Sequence, residues 1–326
     1  MHPILFRLPV LDLPVYGFGM MVMLAMAAAF WVAHVRAKSQ GLDPSKTLDL
    51  CLYAVVFGLV GARLTFLLLE HVPDPSKNSI LSLFAIWEGG LTFQGGLALG
   101  VAAVAWFMHV RFWPTGRYLD VLAPAILVGA GIGRIGCFLR GCCWGRVAHA
   151  DASLSAVFPI DSPVAESHAY LAANHPVAWS ANAAALGYPP ETALPLPVLP
   201  TQWFEAAAYV LLAMAIMLLE RTWRKRFPGA IFLLSLGVYS LFRFSVEFYR
   251  DDTPPVAVFA VGPAWRQGQW FSLLTLVIVA VAWLVLQWRA ASMRPGDSDL
   301  SGRSGPSSQS GRPGGSGPPD PHGGGL

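Results

Sequence analysis

The chain has 326 residues, of which 55% are hydrophobic and 13% charged, with a formal net charge of +3. A soluble domain carries about 25% charged residues, so this balance excludes an ordinary water-soluble enzyme and points to a membrane protein. The small positive charge reflects sidedness across that membrane, and no nucleic-acid partner is expected.

Windows of about 20 mainly apolar residues are long enough to cross a hydrocarbon core of ~30 Å. Seven of them occur, over 15–35, 48–69, 90–110, 118–139, 201–219, 229–249 and 269–288. Basic residues collect after alternate segments: Arg36, Lys38 and Lys46 follow the first, Arg111 and Arg117 the third, Arg221, Arg224, Lys225 and Arg226 the fifth, and Arg289 and Arg294 the seventh. Cytoplasmic loops gather positive charge, so these ends are read as inner. Arg7, Lys77, Arg146, Arg250 and Arg266 are spread over the longer loops of the other side. The expectation is an all-α polytopic protein with about seven transmembrane helices, an outside N-terminus and a cytoplasmic C-terminus.

In chain order, the opening Met-His-Pro-Ile-Leu-Phe-Arg-Leu-Pro lacks a basic stretch before a short apolar core, so no removable signal peptide is expected. Tyr16-Gly17 falls at the outer interface, where a tyrosine serves as a belt residue or faces a site. Arg63 lies within the second segment. Facing lipid it costs about 3 kcal/mol, so it either snorkels to the interface or faces protein and a ligand. Glycines on both sides of Gln94, at 89–90 and at Gly95 and Gly96, suggest a broken helix start that lines a cavity.

The stretch Gly129-Ala-Gly-Ile-Gly-Arg-Ile-Gly-Cys-Phe-Leu-Arg-Gly-Cys-Cys-Trp-Gly145 ends an apolar run yet holds two arginines, three cysteines and six glycines. Small residues allow close approach of a helix or ligand, and Arg134 at membrane depth asks for an anionic partner. Residues 146–200 contain no spanning segment and read as an outer head. Its histidines, His149, His168 and His175, have no convincing metal-ligand spacing. Cys137, Cys142 and Cys143 are compatible with a disulfide or part of a zinc site, but no fourth ligand is correctly spaced, and small packing residues are the leading reading. Cys51, mid-helix, reads as inert packing. No metal and no cofactor are expected.

Pro200-Thr-Gln202-Trp-Phe-Glu205 can start a helix with an amide and a carboxylate in its first turn. In the sixth segment Arg243 and Glu247 are four apart and share a face, either as a self-neutralising pair or with donors left to hold a phosphate. From Pro295 to Leu326, 23 of 32 residues are Gly, Pro or Ser, a composition that buries too little apolar surface to fold. The division expected is a membrane-embedded unit over 1–292 and a disordered cytoplasmic tail over 293–326.

Tyr16-Gly17, Gly61-Ala-Arg63, the Gly89 to Gly96 run, Gly133-Arg134-Ile-Gly-Cys-Phe, Pro200-Thr-Gln202-Trp-Phe-Glu205, Arg243-x-x-x-Glu247-Phe-Tyr-Arg250 and Gly268-Gln269 form an ordered set. Together they resemble the prolipoprotein diacylglyceryl transferase family of bacterial inner-membrane enzymes. The resemblance covers nearly everything before the tail. It implies transfer of a diacylglyceryl group from the membrane lipid phosphatidylglycerol to the lipobox cysteine thiol of a prolipoprotein signal peptide. It also implies that Arg134 and Arg243 hold the phosphate, that Glu247 orients Arg243, and that Gln94 and Tyr16 lie at the same catalytic cavity. Arg63, Gly95, Gly96, Gly133, Cys137, Gln202 and Glu205 become substrate-binding candidates. The family usually has histidine at Gln94, asparagine at Cys137, and asparagine and glutamate at Arg140 and Cys142. With those departures, a transferase using another acceptor, a lipid-binding protein without catalysis and an anion transporter stay open beside the main reading.

Overall fold

A computed structural model describes residues 4–8, 13–70, 92–189, 192–223, 227–252, 255–256 and 265–292. The helices are α1 (Gly17–Ser39), α2 (Pro44–Glu70), α3 (Phe93–Val110), α4 (Thr115–Arg140), α5 (Pro163–Asn174), α6 (Pro176–Ala185), α7 (Thr201–Thr222), α8 (Ala230–Val246) and α9 (Gln267–Ser292). Two short antiparallel pairs accompany them, β1 (Ile4–Leu8) with β2 (Leu13–Tyr16), and β3 (Pro255–Val256) with β4 (Trp265–Arg266). Six of the helices are long and apolar enough to cross a membrane, and α3 is a shorter apolar helix over Gly95–Val110. The seven expected segments thus correspond to α1–α4 and α7–α9. The loop with Lys77 and Gly89, the basic run at Arg224–Arg226 and the tail from 293 lie outside the described residues.

Helix α4 is the centre of the bundle: 44% of its apolar window is buried, against 11% for α1 and α9. Its glycines explain how neighbours come so close. A Cβ at Gly131 would stand 2.9 Å from Val210 Cγ2 on α7, and one at Gly129 3.2 Å from the Ala25 carbonyl on α1. Small residues at helix contacts are the usual means of packing in lipid, where apolar burial gives little drive. A second seam joins α2 to α3. A Cβ at Gly61 would meet Leu99 Cβ at 2.6 Å, and one at Gly96 the Gly58 carbonyl at 2.9 Å. Cys51 lies half-buried against the core of Ala33, Leu50, Met108, Tyr118, Leu122 and Ala125, in keeping with packing.

One end of the bundle is locked by polar groups inside apolar segments. Arg36 donates to the carbonyls of Val121 and Asp120, each at 3.1 Å, and pairs with Glu220 at 2.6 Å. The Asp120 carboxylate accepts from the backbone N–H groups of Gly229 and Phe232 at 2.9 Å, satisfying donors at the start of α8 that have no partner within the helix. Four helices, α1, α4, α7 and α8, are thereby fixed together. The lysine and arginine pattern leads us to expect this end on the cytoplasmic side. Reporter fusions after Lys46, Ala152 and Arg289 are therefore expected to read inside, outside and inside; an outside reading at Arg289 removes a crossing from the scheme.

At the opposite end, residues 146–200 form a small helical head. Ser162 Oγ accepts from Ala165 N at 3.3 Å to cap α5, with Pro163 in its first turn. Trp144, Phe158, Val164 and Val198 close a core against Phe138 of α4. His168 is buried; its Nδ1 accepts from Leu196 N at 3.2 Å and its ring lies 5.0 Å from that of Trp179. It is a core histidine rather than a metal ligand. Burial pushes its pKa down to about 4, against a weaker opposing pull from Asp251. Because the folded value lies below the unfolded value of about 6.5, the unfolded chain binds more protons between them, and head stability falls as pH drops through that window, by about 3 kcal/mol in full. Proteolysis within 146–200 should accelerate from pH 6.5 to 4, and His168→Gln should flatten that dependence. An equally steep rise in the variant assigns the effect to other groups.

Candidate active site

Four helix ends meet at the head side of the bundle: the last turns of α4 and α8 and the first turns of α7 and α9. The loop after α4 is stitched to both neighbours. Gly145 N donates to Leu199 O and Arg146 N to Tyr249 O, both at 2.9 Å. Pairing of Gly145 with Arg250 continues the join.

Within this junction Glu205, fully buried and just past the first turn of α7, gathers arginines from two other segments. Arg134 Nε on α4 lies 2.6 Å from Glu205 Oε2, and Arg243 Nη1 on α8 donates to Glu205 Oε1 at 3.0 Å. Arg243 Nη2 donates to Glu247 Oε1 at 2.7 Å. Arg250 stands 3.6 Å from both Glu205 and Glu247 and is clasped by Asp252 through two nitrogens. Burial opposes the Arg250 charge, but the hydrogen bonds and charge of Asp252 outweigh it and hold the group above its ordinary value. Two of the three arginines keep an open side: the side chains of Arg134 and Arg243 are 18% and 17% exposed, against 4% for Arg250. A Cβ at Gly133, beside Arg134, would meet nothing within 4 Å. Formal charges of the three arginines are matched by Glu205, Glu247 and Asp252, so an anion here would be held by oriented guanidinium donors rather than by net charge.

The chain's likeness to known proteins agrees with this arrangement. The sequence profile of prolipoprotein diacylglyceryl transferase matches residues 3–286. The chain belongs to that family. Among relatives carrying the name phosphatidylglycerol–prolipoprotein diacylglyceryl transferase, the protein of Paraburkholderia xenovorans (strain LB400) is 30% identical, over 88% of this chain and 93% of its own. That of Burkholderia thailandensis (strain ATCC 700388 / DSM 13276 / CCUG 48851 / CIP 106301 / E264) is 31% identical, over 85% and 92%.

The transferase brings Arg134, Arg243, Glu247 and Glu205 into one ion cluster, but several candidates stand elsewhere. Gln202 is fully buried and its Nε2 donates to the Cys142 carbonyl at 2.8 Å, which ties α7 to the loop after α4. Glu205, likewise without exposure, is a counter-ion for the arginines. A Cβ at Gly95 would meet Thr65 and the Gly61 carbonyl, and one at Gly96 the Gly58 carbonyl and Ala62, so both glycines pack against α2. Arg63 is buried, with its guanidinium over the Phe66 ring at 5.6 Å. Thr92 N donates to Ala62 O at 3.0 Å and sets the start of α3 beside it. The Gln94 backbone belongs to the first turn of α3, and its side chain lies outside the described residues. Tyr16 precedes α1 with an exposed ring and makes no hydrogen bond to the arginine cluster among the described residues, although Phe18, two residues on, packs on Gly136 of α4.

Three parts of this cluster were not singled out as site candidates by the sequence, although Arg250 and Gly268 stand in its motif set. Arg250 and Asp252 follow the sixth segment, where a basic residue reads as an interface charge. Tyr209 is buried one turn beyond Glu205, within electrostatic reach of Glu205, Arg134 and Arg243. Gly268 is the third: a Cβ there would collide with Glu247 Oε1, so the start of α9 must be bare for that carboxylate to reach Arg243. Cys137 faces Cys142 and Cys143. Hydrogen bonds from the other two thiols, with help from Arg250 and Arg134, push the Cys143 thiol well down in spite of burial.

Proposed function

We propose that this diacylglyceryl transferase takes its diacylglyceryl group from phosphatidylglycerol and delivers it to the lipobox cysteine of a prolipoprotein at the outer face of a bacterial inner membrane. The observation that carries the reading is the pair of partly open guanidiniums, Arg134 and Arg243, fixed on one buried carboxylate at the end of a membrane bundle. The cysteine sulfur attacks the glycerol carbon that bears the phosphate. The carbon–oxygen bond breaks, a thioether forms, and glycerol phosphate leaves carrying the electron pair; the thiol proton passes to water or to that phosphate. Negative charge grows on the leaving phosphate, where preoriented donors in a site with little water lower the barrier most. Glu205 and Glu247 hold the two guanidiniums in place for it.

An amide at Gln94 has no useful basicity, and no dedicated base is required of it. A thiol with a reference pKa near 8.5 is a few per cent thiolate at neutral pH, and adjacent arginines raise that share. Gln94 therefore positions substrate: Gln94→Ala is expected to slow transfer, and Gln94→His to retain or raise it, with about 10²–10⁴-fold as the bound on any gain. An unaltered rate for Gln94→Ala from pH 6 to 9 makes Gln94 a packing residue. To test the function itself, the detergent-solubilised protein is given a lipobox peptide with phosphatidylglycerol, phosphatidylethanolamine or phosphatidylcholine in turn. Peptide lipidation with phosphatidylglycerol alone supports the proposal; saturable lipid binding without product, or anion flux in liposomes, replaces it.

A further inference from the structure

The arrangement of the three cysteines beyond Arg134 argues against their being merely small packing residues. Helix α4 ends at Gly141 in the left-handed region, with φ of 75°, and the chain then passes through Cys143, which also has positive φ, at 61°. A bulkier residue than glycine in that region is uncommon and is kept only where surrounding structure enforces it. Three hydrogen bonds enforce it: Gln202 donates to the Cys142 carbonyl at 2.8 Å, Thr201 to the Cys143 carbonyl at 3.1 Å, and Cys142 N to the Cys137 carbonyl at 3.1 Å. The result is a hook that returns two thiols to a third on the preceding helical turn. All three sulfurs lie within 4.8 Å of one another, half-buried, and none is in a disulfide.

We propose that Cys137, Cys142 and Cys143 form a binding site for one thiophilic metal ion of filled d shell, Zn²⁺ or Cu⁺. Metal–sulfur bonds of about 2.3 Å put three ligating sulfurs about 3.8–4.0 Å apart, so the thiols need only small rotations to close on an ion. Soft thiolates select these metals over the hard cations that prefer oxygen. Binding releases the three thiol protons and involves no oxidation, leaving a centre of charge −1 with Zn²⁺ or −2 with Cu⁺. Arg134, one turn before Cys137 on α4, and Arg250, joined to Gly145 two residues after Cys143, lie within electrostatic reach of the thiols and favour their ionised form, while sharing their charge with Glu205 and Asp252. No fourth His, Cys, Asp or Glu joins the group among the described residues, so an ion there is three-coordinate or completes its shell with water.

The test uses full-length protein in detergent, reduced and kept from oxygen, titrated with Co²⁺ as a coloured probe for Zn²⁺ and separately with Cu⁺. One equivalent of Co²⁺ should give a thiolate charge-transfer band that Zn²⁺ abolishes, and Cu⁺ should bind with the same stoichiometry. Cys137→Ser, Cys142→Ser and Cys143→Ser should each weaken binding by at least about tenfold, while Cys51→Ser leaves it unchanged. A second readout needs no variant: in the unsubstituted protein, metal should protect Cys137, Cys142 and Cys143 from alkylation and spare Cys51 no more than before. Absence of the band and of protection overturns the proposal, as does a disulfide among these residues in protein isolated from cells.

Discussion

Arg243→Lys is expected to slow diacylglyceryl transfer by roughly 30- to 900-fold, the equivalent of about 2–4 kcal/mol in the barrier, by analogy with removal of one oxyanion donor. The charge survives the substitution; the geometry does not. Arg243 spends two separate nitrogens on Glu205 and Glu247, at 3.0 and 2.7 Å, and its planar fork keeps a further edge for phosphate. A single ammonium cannot hold both carboxylates and the leaving group in fixed directions. Arg134→Lys should fall in the same range, since its ion-pair contact with Glu205 is made by Nε, an atom lysine lacks. A rate for Arg243→Lys within about threefold of the unsubstituted enzyme, under 1 kcal/mol, in properly inserted protein removes that residue from the clamp.

Glu205→Gln is the substitution with the largest expected cost in stability. Its carboxylate is without exposure and serves Arg134 at 2.6 Å and Arg243 at 3.0 Å, with Arg250 at 3.6 Å. Removing one partner of a buried ion cluster leaves uncompensated charge and costs about 3–5 kcal/mol. Glu220→Gln at the other end of α7 supplies the comparison, because Arg36 there keeps the carbonyls of Val121 and Asp120 as acceptors. Thermal unfolding in detergent should show a clearly larger loss for Glu205→Gln than for Glu220→Gln. Equal losses make Glu205 an ordinary ion pair and weaken its standing as the organiser of the site.

The spans were legible because apolar run length is a one-dimensional signal, and the structure has a helix over each. Arg243 with Glu247 was legible too, since four residues along a helix place them on one face whatever surrounds them. The association of Arg134 with Glu205 was not, because it depends on how α4 and α7 pack, which no local spacing encodes. The glycines beside Gln94, Gly95 and Gly96, pack α2 against α3, and Gly131 and Gly136 admit the neighbouring helices of α4. Sequence cannot say whether a bare backbone meets a ligand or another backbone. The thiols illustrate the same limit: their hook is created by left-handed residues after α4 and by hydrogen bonds from α7, sixty positions further along the chain for Gln202 and Cys142.

Displacement of glycerol phosphate from phosphatidylglycerol by a thiol at the paired arginines fixes the stoichiometry of its products. A lipobox peptide, phosphatidylglycerol labelled in its headgroup glycerol and the purified protein are incubated together, and peptide mass and released label are followed in the same samples. The account predicts that each peptide gains one diacylglyceryl group through sulfur as one labelled glycerol phosphate is released, and that a Cys→Ser peptide gains none. Release of label without peptide modification, or an acyl chain on the peptide in place of diacylglyceryl, contradicts it.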